Sequence, residues 1–452
     1  MSDSSAATKM TSRLEALKSA LESGTLRSVR RMMHSLHPAE IAHLLESLRP
    51  AEREIVWELV DPEDDGEVLL HVNDEVRSGL IRDMDAEELL AATDGLDMDD
   101  LADLFEDLPE TVTRQLLHSM DEENRNRLQA VLAYPEDSAG GLMNTDMITV
   151  RPDVTLDVVM RYLRLREEVP DDTDRLFVVN RYSKLLGTVT LTRIVSHDPD
   201  STVAEVMDTE VKGIPADTPA TQVAKLFEDR DLVSAPVVDD QGVLLGRITI
   251  DDVVDVIREE ADHSLMVMAG LDEEDDMFAS VVPSARRRAV WLGVNLITAF
   301  IAAWVVGLFQ ATIDKVVALA VLMPIVASMG GIAGSQTLTL MIRGLALGQV
   351  ERSNARWLMF KESAVAILNG IGWAILVAAV VLVWFDNWQL AAVIAVALII
   401  NLLVAALSGV IIPLSLKKLG VDPALAGSVV LTTITDVIGF FAFLGLGALF
   451  LL

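Results

Sequence analysis

The 452-residue sequence contains no cysteine, which excludes disulfides, thiolate metal sites and a cysteine nucleophile. It has no Walker-type phosphate loop and no nucleophile motif, and its seven histidines are scattered. Nothing in it points to an enzyme. Residues Met1 to Met10 are polar and lack the charged-then-apolar order of a secretory signal. Together with the missing cysteine, this fits a soluble part held in a reducing cytosol. Positive charge is also scarce, and the net charge is −32.

That scarcity is confined to one part of the chain. Residues 286–452 carry 10 Lys/Arg and 6 Asp/Glu, a net of +4, whereas residues 1–285 carry 26 and 62, a net of −36. The acidic part repels nucleic acid, so no nucleic-acid partner is expected, and it attracts cations. A surface made acidic for solubility alone has the same composition.

Apolar runs of roughly 20 residues, each able to cross about 30 Å of hydrocarbon, occur at 289–310, 316–342, 358–385, 389–414 and 423–451. Arg286, Arg287 and Arg288 precede the first run. Arg343, Arg352, Arg356 and Lys361 surround the second-to-third loop, and Lys417 and Lys418 lie in the fourth-to-fifth. The opposite loops hold only Lys315. The positive-inside rule then puts the N-terminal domains in the cytosol and Leu452 outside.

Asp436 lies in mid-span within Thr432-Thr433-Ile434-Thr435-Asp436. An ionised carboxylate there costs several kcal/mol unless it faces water or a cation. A protonated or hydrogen-bonded packing carboxylate is the alternative. In the second run, Pro324 is followed by Gly330, Gly331 and Gly334. Such residues are tolerated where freed carbonyls line a cavity, or where small residues let helices pack closely. With Asp436, the favoured reading is a pore in which loosened backbone and one carboxylate meet a cation.

The acidic half holds two modules. Positions 36, 48, 60, 72, 84, 96, 108 and 120 are all apolar, a repeat of 12. Asp61, Asn73, Asp85, Asp97 and Asp121 follow at cap positions, and Pro38, Pro50 and Pro62 at first helical positions. Short helices stacked as a superhelix are expected. Residues 138–262 contain a duplication: Met143-Asn144-Thr145-Asp146 recurs as Met207-Asp208-Thr209-Glu210, and Leu186-Gly187-Thr188-Val189-Thr190 as Leu245-Gly246-Arg247-Ile248-Thr249. These copies resemble a tandem pair of CBS domains, modules that often bind adenine nucleotides. ATP at this pair is therefore an open expectation. Residues 258–285, with the acidic run Asp272–Asp276, read as a charged connecting helix or a solvated linker.

The order of these parts resembles the MgtE magnesium-transporter family. Tyr134-Pro135-Glu136-Asp137-Ser138-Ala139-Gly140, the segment from Pro324 to Gln336, Leu419-Gly420-Val421-Asp422-Pro423 and Thr435-Asp436 carry the resemblance. It implies a multidomain fold: an all-α helical superhelix (1–135), an α/β tandem CBS pair (136–200 and 201–262), a connecting helix (263–288) and a five-helix α transmembrane domain (289–452). It also implies a homodimer in a bacterial plasma (inner) membrane, with a Mg²⁺ pore on the two-fold axis. Asp436 would be the pore carboxylate, with Thr432, Gly330, Gly331, Ser335 and Thr339 around it. Regulatory Mg²⁺ would bridge Asp99 and Asp103 of the superhelix to Asp252, Asp255 and Glu260, closing the pore when cytosolic Mg²⁺ is high. The sequence departs from the family pattern at Ile332, where Asn often follows the two glycines, and at His263-Ser264, where further acids often stand. A carrier for another divalent ion such as Mn²⁺ or Co²⁺, or a proton-coupled carrier, remains compatible with the same residues.

Overall fold

The computed structural model describes residues 12–21, 26–166, 169–170, 172–271, 276–350 and 353–452, without the side chains of 106, 425 and 426. The chain divides into two compact units, one of residues 1–262 and 274–280, the other of 263–273 and 281–452.

The first unit opens with short helices. Helix Pro38–Glu46 starts at a first-position proline behind His37, and helix Ala86–Ala92 is closed by a capping box between Asp85 and Glu88. Asn73 and Asp121 cap their helices by accepting from Val76 and Asn124 N–H. The repeat departs from expectation at Asp61. Residues 61–64 form a turn, and the helix begins only at Asp65. Asp61 instead faces His34 at 3.0 Å. Leu36, Leu48, Val60, Val72, Met84 and Leu108 are all buried, so the 12-residue period marks the core. One helix of this stack, Met98–Asp107 (α1), carries Asp99 and Asp103.

The CBS pair forms two three-stranded sheets. β1 (Thr149–Val150) runs parallel to β2 (Arg175–Val179), which runs antiparallel to β3 (Leu185–Thr190). β4 (Ile214–Pro215), β5 (Ser234–Val238) and β6 (Leu244–Thr249) repeat this order. A register shift recurs at Val178/Val179 and Val237/Val238, so the duplication extends to the irregularity. The two copies are interlocked across their 200/201 boundary. Asn144 exchanges two backbone hydrogen bonds with Arg247 at 2.8 and 2.9 Å, and Asp208 does the same with Thr188 at 2.7 and 2.9 Å. The leading segment of each copy completes the other's sheet. Met143 accordingly joins the core of the second copy, and Val203 and Val206 that of the first. The second copy shares one apolar core with the helical stack.

A single connecting helix over 263–288 is not what the described residues form. Helix Ile250–Met268 (α2) runs without a break from the second CBS copy past His263 and ends before Gly270. Gly270 has φ +73°, and a Cβ there would lie 1.9 Å from the Trp291 ring. Only a glycine fits both demands, so the helix stops at that position. The acidic run is described only at Asp276, since 272–275 lie outside the described residues.

Among the described residues, five helices are long and apolar enough to cross a membrane: Val281–Leu308 (α3), Ala318–Ala346 (α4), Ala355–Phe385 (α5), Trp388–Lys418 (α6) and Pro423–Phe450 (α7). The apolar runs locate all five. The helices extend beyond them at charged ends, so that Arg286–Arg288 sit inside α3. α6 is the most buried of the five, which suits a helix packed among neighbours.

Candidate ion sites

In the second unit, α4 and α7 lie side by side and antiparallel. The Leu338 side chain fills the space over Gly427, Leu431 that over Gly334, and Leu319 that over Gly447. This pairing, at 1.5 Å rise per residue on both helices, brings Asp436 level with Gly330. Asp436 is half-buried. It has no hydrogen-bond or ion-pair partner among the described residues. The hydrogen-bonded form of the packing alternative thus has no partner among the described residues.

The residues expected around Asp436 are not equivalent. A Cβ on Gly331 would meet nothing within 4 Å, whereas one on Gly330 would lie 2.2 Å from Nδ2 of Asn401. Gly331 faces open space and Gly330 faces α6. Ser335 and Thr339 follow Gly331 one and two turns later, and both are exposed. Thr432, one turn before Asp436, is also exposed, and its hydroxyl donates to the Ser428 carbonyl at 2.9 Å. Ile332, 57 % exposed, places an apolar group beside Gly331. The sequence reading overlooked Asn401, whose signal was a lone carboxamide within a run of apolar residues.

The first unit gathers a different set of acids where α1 meets the start of α2. Asp97, Asp99 and Asp100 offer carboxylate oxygens that all lie within 4.8 Å of one another. Asp99 is 7 % exposed, and its Oδ1 is buried with no hydrogen-bond partner among the described residues. Burial raises Asp99 well above the usual carboxylate range, and the charges of Asp252, Asp100 and Asp97 add to that. Burial pushes Asp100 to about 6, reinforced by Asp97, Asp251, Asp255 and Glu67. It pushes Asp103 to about 7, with Glu136 and Asp100 adding and Arg77 opposing.

Across from them, burial and the neighbouring Asp251 push Asp252 to about 7, against hydrogen bonds from the N–H and hydroxyl of Thr249. Asp255 is raised by burial and held back by His71 and Arg258. Four of the five expected regulatory carboxylates thus crowd one another. Glu260 is exposed further along α2. Asp97 was expected as an N-cap but makes no side-chain capping bond. Asp97 and Asp100 are additions to the expected set, legible as Asp97-Met98-Asp99-Asp100 in a first helical turn.

Such a cluster is costly as it stands, because like charges held out of water repel. A hard divalent cation with oxygen ligands would neutralise them. The orphaned Oδ1 of Asp99 fits that need: a buried acceptor without a donor is a place for a cation or its bound water.

The CBS pair also has a cleft lined by Arg175, Lys212, Arg230, Asp208 and Ser234, which presents cations beside hydroxyl and carboxylate groups.

The family model of the MgtE divalent cation transporter matches residues 323–446, that of the MgtE intracellular N domain matches 36–137, and that of the CBS domain matches 139–200 and 203–259. The chain is 30 % identical over 441 residues to the magnesium transporter MgtE of Thermus thermophilus, covering 96 % of this chain and 98 % of that protein. It is 29 % identical over 431 residues to the magnesium transporter MgtE of Bacillus subtilis, covering 95 % and 96 %. A solved cytosolic domain of the Mg²⁺ channel MgtE, in complex with ATP, is 31 % identical with a TM-score of 0.49, over 54 % of this chain and 99 % of that one. With an end-to-end relative at this identity and matches in both units, the chain belongs to the MgtE family.

Proposed function

We propose that this protein conducts Mg²⁺ across a bacterial plasma membrane as a homodimer, with its N-terminal domains in the cytosol and Leu452 outside. The observation that carries this reading is Asp436: a mid-span carboxylate without a partner among the described residues, level with the glycine segment of the neighbouring helix. Mg²⁺ dehydrates reluctantly and prefers to keep several waters. Two copies of Asp436 on a two-fold axis supply two carboxylates around a hydrated ion, enough to attract it without trapping it. Ser335, Thr339 and Thr432 are exposed along the same helices, with the half-buried Gly331 facing open space, and these would contact its waters.

The cytosolic acids would be the gate's detector. Mg²⁺ held by Asp99, Asp103, Asp252 and Asp255, with Asp97, Asp100 and Glu260 contributing, would stabilise the closed state. Without it, like charges would drive α1 and α2 apart, and an effector that binds one state better shifts the population toward it. ATP is proposed for the cleft lined by Arg175, Lys212 and Arg230, whose cations suit a polyphosphate.

The test is flux into liposomes holding the purified protein, with Mg²⁺ in competition with Ca²⁺, Mn²⁺ and Co²⁺, with and without a pH gradient. Mg²⁺ flux that Asp436→Ala abolishes, in a protein that remains folded, is the expected result. Unchanged cation-selective flux in that variant sinks the pore assignment. Preference for another ion, or dependence on the pH gradient, replaces the channel for Mg²⁺ with one of the other carriers.

A further inference from the structure

A carboxamide in a membrane-spanning helix is expensive unless both its ends are satisfied. Asn401 of α6 is 0 % exposed. Its Nδ2 donates to the Val326 carbonyl of α4 at 2.8 Å, while its Oδ1 is buried with no partner among the described residues. A residue kept only for packing needs neither a donor nor an acceptor, so packing alone does not account for an asparagine that donates a hydrogen bond to the neighbouring helix.

The surroundings suggest what does. A Cβ on Gly330 of α4 would lie 2.2 Å from Asn401 Nδ2, and one on Gly439 of α7 would lie 2.8 Å from it. One carboxamide is therefore wedged between two glycines, one on each helix that carries the proposed permeation residues. Gly330 adjoins Gly331, and Gly439 lies about one turn beyond Asp436. The acceptor matters too. In a regular helix, the Val326 carbonyl accepts from the N–H of Gly330. Asn401 shares that acceptor and so pins the turn that leads into Gly330 and Gly331, residues that by themselves hold a helix weakly.

The structure assigns Asn401 as a positioning residue for permeation: it fixes the spacing and rotation of α4 against α7, and through them the aim of Asp436 at the ion. This role rests on the pore reading above. It makes selectivity, not only folding, depend on a residue that touches no ion.

Liposome flux separates the two roles. Asn401→Leu keeps the branched shape with bulkier ends and removes the hydrogen bond, and Asn401→Ala removes it with a smaller side chain that cannot clash. Both are compared with wild type and with Asp436→Asn for elution, thermal midpoint and the ratio of Mg²⁺ to Ca²⁺ flux. Both Asn401 variants are expected to lower that ratio roughly fivefold, the scale of one interhelical hydrogen bond. Gly330→Ala, which displaces the carboxamide, is expected to do the same. A ratio unchanged in both Asn401 variants, with or without lower total flux, overturns the positioning role. Selective flux that persists in Asp436→Asn overturns the pore reading instead.

Discussion

The guanidinium of Arg53 meets the carboxylate of Asp276 at 2.9 Å, and both side chains are buried. Arg53 also donates to the carbonyls of Leu45 and Leu48, while Asp276 accepts from the N–H of Phe278 and donates its own N–H to Glu75. The segment that leads to α3 is thereby fastened to the helical stack. Removing one member of a buried pair strands the other charge at a cost of about 3–5 kcal/mol, whereas replacing both with apolar groups is often near neutral. Asp276→Ala is expected to expose residues 276–280 to protease. Arg53→Met with Asp276→Leu is expected to restore much of the protection. Equal cleavage in wild type and Asp276→Ala would mean that the pair does not hold the segment.

The crowded acids give a pH dependence with a definite sign. Asp100 titrates at about 6, and Asp103 and Asp252 at about 7, against about 3.9 for an unfolded Asp. Between about pH 4 and 7 the folded state holds more protons than the unfolded chain, so stability falls as pH rises through that window. The metal-free protein is expected to have a higher thermal midpoint at pH 5.5 than at pH 8. Mg²⁺ should raise the midpoint mainly at pH 8, and should slow proteolysis within 258–285. A midpoint that is flat across this range and indifferent to Mg²⁺ rules out the acids as a cation-sensitive element.

The parts that sequence made visible are those governed by local periodicity. The 12-residue repeat located the buried faces of the helical stack, because each short helix packs on its neighbours through the same position. The five apolar runs located α3 to α7, and Asp436 stood out because a carboxylate amid hydrocarbon has few explanations. Long-range pairing was not visible. The exchange between Asn144 and Arg247 links residues about a hundred apart and leaves no periodic trace. Asp61 read as a cap by its spacing, yet it faces His34. The break at Gly270 was hidden because its cause is a side chain on another helix, Trp291. Gly330 and Gly331 looked interchangeable until their opposite faces were seen.

Gly270 yields its own test. An alanine there suffers twice: its Cβ enters the Trp291 ring, and φ +73° is unfavourable for any L residue by roughly 1–2 kcal/mol. Gly270→Ala is expected to lower the thermal midpoint and to make the chain between α2 and α3 more open to protease. Wild-type behaviour in both measurements would mean that the α2 end does not depend on this contact.

Ile332 bears on selectivity. Its exposed, apolar side chain sits beside Gly331 on α4, near the level of Asp436, and offers nothing to a hydrated ion. Asparagine there would present a carbonyl oxygen and an amide to the ion's waters, contacts that favour the cation keeping its hydration shell. Because the position is exposed, the exchange removes no core packing. Ile332→Asn is therefore expected to leave folding stability within about 0.5 kcal/mol of wild type. It is also expected to reduce inhibition of Mg²⁺ flux by Ca²⁺, Mn²⁺ and Co²⁺ several-fold, the scale of one good polar contact. Competition curves that superimpose on wild type would show that residue 332 does not reach the ion.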